Sequence, residues 1–193
     1  AVFYDSEKPN QFLNDVKNLL DQDGLFILEF ADLASIIKVS EISEGLVMED
    51  ERVKVTALKV VHGLLENCFA FKFETKDKKV IFSGDTIYFP PLIEFSKDAD
   101  LLVHEVMLER GINVLAERLK KVKPNLIDHL MISHTTAEDA AKLAKEANVK
   151  HMVFNHYVPH IPKEFPNSEF VDAAKRVWDG KITAGYDLCE IDF

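Results

Sequence analysis

Four short apolar strands of this chain run into residues that ligate metals or carry protons. His62 closes Val53-Lys-Val-Thr-Ala-Leu-Lys-Val-Val-His62, and Asp85 closes Val80-Ile-Phe-Ser-Gly-Asp85. His104 and Glu105 close Asp100-Leu-Leu-Val-His-Glu105, and His156 closes His151-Met-Val-Phe-Asn-His156. In a layered α/β domain the C-terminal edge of such strands is where a site gathers, because buried strands aim their last side chains into one crevice. His62, Asp85 and His156 are therefore expected to meet as ligands of a divalent metal. Each residue has an ordinary reading as well. An Asp before Thr at a strand end is often a plain turn residue, and a lone His after an apolar run is more often structural than a ligand. The recurrence at four strand ends is what argues for a site.

Two segments add local chemistry. In Ser133-His-Thr-Thr-Ala-Glu-Asp139, Thr135 or Thr136 can cap a helix whose first turn holds Glu138 or Asp139, so His134 sits just outside a helix N-terminus. The positive dipole end there should lower its pKa and keep a neutral imidazole ready to carry a proton. In Phe82-Ser-Gly-Asp-Thr86, Gly84 allows a sharp turn and Asp85 offers two oxygens, enough to bridge two metal ions about 3.5–4 Å apart.

The elements that must position these residues alternate along the chain. A strand at Val2–Tyr4 and a helix from Pro9, with Phe12, Val16, Leu19 and Leu20 at helical spacing, come first. Strands follow near Ile36–Ile42, Leu46–Met48, Arg52–Val61 and Cys68–Glu74, the last two as antiparallel partners. Lys76-Asp-Lys-Lys79 turns the chain into Val80–Ser83. Then come a helix at Pro91–Lys97, a strand at Leu101–Val106, helices at Leu108–Lys121 and Thr136–Ala147, and a strand at Met152–Asn155. A helix at Ser168–Trp178 and strands at Lys181–Ala184 and Leu188–Ile191 close the series. This order predicts an α/β layered domain over residues 1–193.

Composition narrows the class. With 193 residues, 47% hydrophobic and 29% charged, the chain can bury one full core, as a single domain or the larger part of one. Two cysteines, Cys68 and Cys189, make no disulfide framework and fit reduced thiols in a cytoplasmic protein. No run is long and apolar enough for a membrane span, and no signal sequence opens the chain, so no membrane partner is expected. A formal charge of −10 disfavours nucleic acid, because phosphate affinity comes largely from Lys and Arg. The one dense basic run, Arg118-Leu-Lys-Lys-Val-Lys123, has helical spacing and reads as a solvated helix face.

Taken in order, Phe82-Ser-Gly-Asp-Thr86, Leu101-Leu-Val-His-Glu105, Ser133-His-Thr-Thr-Ala-Glu138 and Phe154-Asn-His-Tyr157 resemble the C-terminal two-thirds of the metallo-β-lactamase superfamily. The ribonuclease Z and arylsulfatase-like branches are the nearest in likeness. The stretch Ile42–His62 is similar to the one that delivers the third metal motif of this family. The resemblance implies an αββα sandwich and a dinuclear zinc centre. It makes His62 a ligand of one zinc, Asp85 the bridging carboxylate and His156 a ligand of the second. His134 would assist catalysis, Glu105 would orient it, and His104 would be structural or lie behind the ligands. His129, His151 and His160 match no motif position and are expected on the surface or in loops.

The His-x-His-x-Asp-His motif of the family, which supplies the other ligands, is not found in these residues. A catalytic zinc wants three protein ligands plus water, so the chain reads as a fragment of a longer enzyme, inactive by itself, whose site an N-terminal segment completes. An uncovered sheet edge or apolar face would then call for a homodimer or a complementing N-terminal piece.

Two functions compete. The first is hydrolysis of a small ester in the arylsulfatase-like manner, with the anionic ester on the two metals and His134 managing the proton of the leaving group. It draws on Tyr157-Val-Pro159, on the ending Trp178–Leu188, and on the short link Glu74-Thr-Lys-Asp-Lys-Lys79, where ribonuclease Z relatives often carry a long arm for transfer RNA. The alternative is a ribonuclease Z-type endonuclease that processes transfer RNA 3′ ends. A non-catalytic interaction module is the third possibility.

Overall fold

Among the described residues, seven strands follow one another across one sheet in the order in which they occur in the chain. The computed structural model describes residues 41–193. The expected strands at Val2–Tyr4 and Ile36–Ile42 and the helix from Pro9 lie wholly or mainly outside the described residues. Ile42–Phe193 forms one compact unit. Strands β1 (Gly45–Glu49), β2 (Lys54–His62), β3 (Leu65–Glu74) and β4 (Lys79–Phe82) pair antiparallel. From β4 onward the sheet is parallel, through β5 (Leu101–Met107), β6 (His151–Val158) and β7 (Lys181–Ala184). The switch follows from the connections. Short links join β2 to β3 and β3 to β4, whereas parallel neighbours need a helical crossover.

Five helices fill those crossovers: α1 (Pro91–Phe95), α2 (Glu109–Leu119), α3 (Leu126–Met131), α4 (Ala137–Glu146) and α5 (Asn167–Lys175). The core lies between helices and one sheet face, where Ala70, Ile81, Leu102, Met152 and Phe154 are fully buried. Leu92 of α1, Leu143 of α4 and Phe170 of α5 join the same cluster. Four buried alanines, Ala137, Ala140, Ala141 and Ala144, line α4 and let its backbone approach the sheet closely. Among the described residues there is thus one helix-covered sheet, the arrangement of half an αββα sandwich. No helix among them is long and apolar enough to cross a membrane.

Several expectations shift. The expected strand at Leu188–Ile191 is absent, because Leu188 takes a left-handed φ of 62° and Cys189 N–H donates to Tyr186 O at 3.0 Å, which closes a turn. Helix α3 was not anticipated, since six residues after Pro124 are too few to show a period. The basic run is only partly helical: α2 stops at Leu119, and Arg118 pairs with Glu164. His151 is not a surface residue. It is 4% exposed within β6, and its Nε2 meets Thr183 Oγ1 at 2.9 Å.

Candidate metal and acid/base site

The site lies where β2, β4, β5 and β6 run toward the start of α4. His62 is the last residue of β2, and its Nδ1–H donates to the carbonyl of Ser133 at 2.7 Å. That bond fixes the ring and leaves Nε2 with a free lone pair, the tautomer a metal requires. Gly63 follows with φ 56°, its N–H on Ile132 O at 2.8 Å. A Cβ there would lie 2.9 Å from Ser133 Oγ, so glycine lets the β2–β3 turn press against the loop that carries His134.

Asp85 is presented by a turn after β4 rather than by the strand itself. Gly84 takes φ 61°, and a Cβ on it would come within 2.6 Å of Phe69 O, so this turn accepts only glycine without a shift. Asp85 Oδ2 then lies 3.4 Å from His156 Nε2. His156 is not a strand terminus either. It sits inside β6 with φ 41°, where pairing with β5 shifts register between Glu105 and Val106. Such a bulge takes one residue out of the in–out alternation and re-aims its side chain, at a cost of about 1–3 kcal/mol of local strain.

Glu105 is the organising group. It is 1% exposed within β5. Its Oε1 accepts the backbone N–H of Thr135 at 2.8 Å and of Thr86 at 3.2 Å, which ties the Asp85 turn to the His134 loop. Its own N–H donates to Ser83 Oγ at 3.1 Å. Glu105 Oε2 faces His134 Nδ1 at 3.4 Å, an ion-pair distance rather than a formed hydrogen bond. Ser83, Thr86 and Ser133 were missed in the sequence, and Thr135 was named only as a possible helix cap. Apart from the Ser83 hydroxyl and the Thr135 hydroxyl, which donates to Thr86 O, these residues act through backbone groups, which leave no residue-type signal.

His134 departs from its expected electrostatics. Thr136 does cap α4, accepting from Asp139 N at 3.2 Å, with Glu138 and Asp139 in the first turn. Burial pushes the imidazole down, but the contact with Glu105 and the charges of Glu105 and Asp85 outweigh it, so its pKa is raised rather than lowered. His104 behaves as a core residue. It is fully buried and donates from Nδ1 to Glu105 O at 2.6 Å, and burial, only partly offset by Glu105, lowers its pKa.

The rings form a row. His62 and His134 have centroids 5.1 Å apart, and His134 and His156 5.6 Å. The structure thus brings Asp85 together with His156, and His62 together with His134. β2, β4 and β6 are separated by β3 and β5, so the three expected ligands do not lie on adjacent strands. Among the described residues no three His, Cys, Asp or Glu side chains are arranged to hold one ion. Imidazole nitrogens with a carboxylate oxygen are the donors zinc takes at about 2.0–2.2 Å, so these residues suit a metal in kind but do not fill a site in number.

Known proteins share this arrangement of chain. The zinc phosphodiesterase ELAC protein 2 homolog of Caenorhabditis elegans is 31% identical over 119 residues, which cover 62% of this chain and 12% of that protein. Ribonuclease Z of Mycobacterium tuberculosis is 26% identical over 172 residues, 88% of this chain and 60% of the relative, so the chain spans only part of such proteins. Among solved structures, the metallo-beta-lactamase fold protein YhfI from Bacillus subtilis superposes with a TM-score of 0.56 at 18% identity, covering 80% of this chain and 58% of that one. That likeness gives the fold. The family profile for the beta-lactamase superfamily domain matches residues 16–157, and the chain belongs to that family.

Proposed function

We propose that this chain is part of a metal-dependent phosphodiesterase of the ribonuclease Z type, which cuts RNA in processing the 3′ end of transfer RNA. The observation that carries the reading is the row of His62, His134 and His156 beside Asp85 and the buried Glu105, in a chain that resembles ribonuclease Z over 88% of its length. This likeness favours the nuclease over the arylsulfatase-like hydrolase. The −10 charge weighs less than expected, because it counts only part of the length of such relatives and says nothing of the potential at one crevice.

His62 through Nε2, with Asp85 and His156, would hold the metal, typically zinc, and other groups would complete its shell. A divalent ion there supplies Lewis acidity toward a phosphoryl oxygen. His134 keeps a proton on Nδ1 against Glu105, and its other nitrogen is left to deliver a proton to the leaving oxygen. Glu105 acts through His134 and through the two loops it ties, and so positions rather than reacts.

The test is cleavage of a 3′-extended transfer RNA transcript by the protein expressed from its complete reading frame. Zinc-dependent cutting that Asp85→Asn abolishes is the expected result. A second reading, hydrolysis of a small ester, keeps support from the tight β3–β4 turn, where Thr75 N–H donates to Lys78 O at 2.9 Å and no arm intervenes. Turnover of p-nitrophenyl sulfate with no RNA cleavage would favour it and refute the nuclease.

A further inference from the structure

His156 reaches Asp85 because β6 changes phase beside it. β5 and β6 run in parallel register from Leu102 opposite Met152 to Glu105 opposite Asn155; Val106 then faces Tyr157, so His156 has no partner on β5. Leu102 and Val106 of β5 pack in the helix-covered core with Met152 and Phe154 of β6. His104 falls between them in the alternation, opposite Phe154, and is itself fully buried. Unbroken alternation would send His156 to the same apolar side as Phe154. The extra residue instead gives that place to Tyr157, whose ring meets Phe170 of α5 edge-on at 5.0 Å. His156 is left exposed, with Nε2 3.4 Å from Asp85 Oδ2.

A bulge disrupts the ladder where it occurs, and a buried backbone carbonyl beside it needs another donor. The peptide at this bulge joins Glu105 to Val106. Its carbonyl, Glu105 O, accepts from Nδ1 of His104 at 2.6 Å. Burial lowers the pKa of this ring and so favours its neutral form, and a carbonyl can only accept, which places the one proton on Nδ1. Among the described residues Nε2 has no hydrogen-bond partner, so the polar commitment of the ring is to this one peptide. A leucine would pack in the same core without leaving a buried nitrogen bare. A donor is useful here because the peptide needs one.

Two functional groups hang on that peptide. It directly follows Glu105, whose carboxylate accepts from Thr86 and Thr135 N–H and faces His134. Across the strand pair it lies opposite the turn of chain from Asn155 to Tyr157 that carries His156. We infer that His104 is a positioning residue: its Nδ1–H holds the Glu105–Val106 peptide in the bulged register, and through that peptide sets the aim of both Glu105 and His156. Tyr157 holds the bulge from the other strand, its hydroxyl donating toward Gly185 O at 3.1 Å and Phe154 O at 3.3 Å. The inference rests on the reading of these residues as a metal and acid/base site, and not on which ester that site cuts.

The experiment is NMR in chelator on the isotope-labelled protein expressed from its complete reading frame, as wild type and as His104→Asn, His104→Gln and His104→Leu. In wild type, His104 should be protonated at Nδ1 and bare at Nε2. Through-space contacts should pair Val106 with Tyr157, and the His134 ring with the His156 ring, whose centroids are 5.6 Å apart. Asparagine puts an amide donor where Nδ1 stands and should keep both contacts. Glutamine carries its donor out to the Nε2 position, and leucine has none, so both should lose the contact between the rings and pair Val106 with His156. Zinc affinity, read by competition with a chromogenic chelator, should fall about tenfold in the Gln and Leu variants and stay near wild type in Asn. Urea midpoints report folding separately; if His104→Leu does not fold, the contrast of Asn with Gln decides, since both are polar and only one presents its donor to Glu105 O. His104 protonated at Nε2, a folded Leu variant with the wild-type register, a Gln variant that matches Asn, or an Asn variant that slips would each overturn the assignment. Failure of wild type to bind zinc removes the metal reading, while the register contacts still decide the role of His104. Tight zinc with a register indifferent to His104 removes that role alone.

Discussion

Replacing Glu105 by Gln keeps the shape of the side chain and removes its charge, which isolates what that charge does in the core of the site. Oε1 of Glu105 accepts two backbone N–H groups, from Thr135 at 2.8 Å and Thr86 at 3.2 Å, and the amide oxygen of Gln can accept both. Each bond then falls from charge-assisted to neutral strength, a loss of about 1 kcal/mol apiece, or about 2 kcal/mol together. For a unit of this size about 1 kcal/mol moves the melting temperature by about 2–4 °C, so Glu105→Gln should melt about 4–8 °C lower. The second effect is local. The contact with Glu105 and its charge are the chief influences that lift His134 against its burial, so the His134 pKa must fall in the variant.

The sign of the pH dependence follows. A histidine whose folded pKa is raised contributes stability that is fully present below its unfolded value, near 6.5, and is lost as pH rises through the folded value. In Glu105→Gln this contribution shrinks, and the difference in stability from wild type should narrow as pH rises through the wild-type folded value of His134. The assay is a melting series in chelator across that window, together with ring-nitrogen NMR of labelled histidine. An unchanged His134 titration, or a melting temperature within about 1 °C of wild type, would refute the role given to Glu105.

Gly84→Ala should destabilise by more than the roughly 1–2 kcal/mol of a left-handed L-residue, because its Cβ also meets Phe69 O at 2.6 Å; the urea midpoint measures the loss, and a neutral result would mean that the turn presenting Asp85 relaxes freely. Phe154→Ala empties a fully buried site between sheet and helices and should cost about 3–5 kcal/mol by denaturant unfolding. Asp100 accepts from Lys150 Nζ and Lys79 N–H, each at 2.8 Å; the bond from Lys150, against some opposition from burial, holds its carboxyl below the usual 3.8. That contribution is present above the unfolded pKa and is lost as pH falls through the folded one, so Asp100→Asn should flatten the acid limb of the stability profile, and an unaltered limb would show that the pair is idle.

How far the site was legible in the sequence depended on whether each feature is local. His62, Asp85, His134 and His156 stand beside apolar runs or a helix cap, and the capping pattern Thr136-Ala-Glu-Asp139 did place the start of α4. The antiparallel pairing of β2 with β3 was readable for the same reason, since a short link dictates antiparallel neighbours, whereas the order of the parallel strands comes from the fold. The aim of His156 was not readable, because the bulge that turns it arises from the register between β5 and β6, whose sequences lie some fifty residues apart. The short α3 and the turn at Leu188 escaped because neither leaves a period. His134 shows the limit most clearly. Its position before α4 suggested a lowered pKa from a helix terminus, which carries about half a unit of positive charge. The fold sets the full negative charge of Glu105, from a different strand, 3.4 Å from the same ring and inside a buried pocket. A whole charge at that distance outweighs a fractional one spread over a first turn, and only the three-dimensional pairing of β5 with the loop before α4 decides which of the two the imidazole meets.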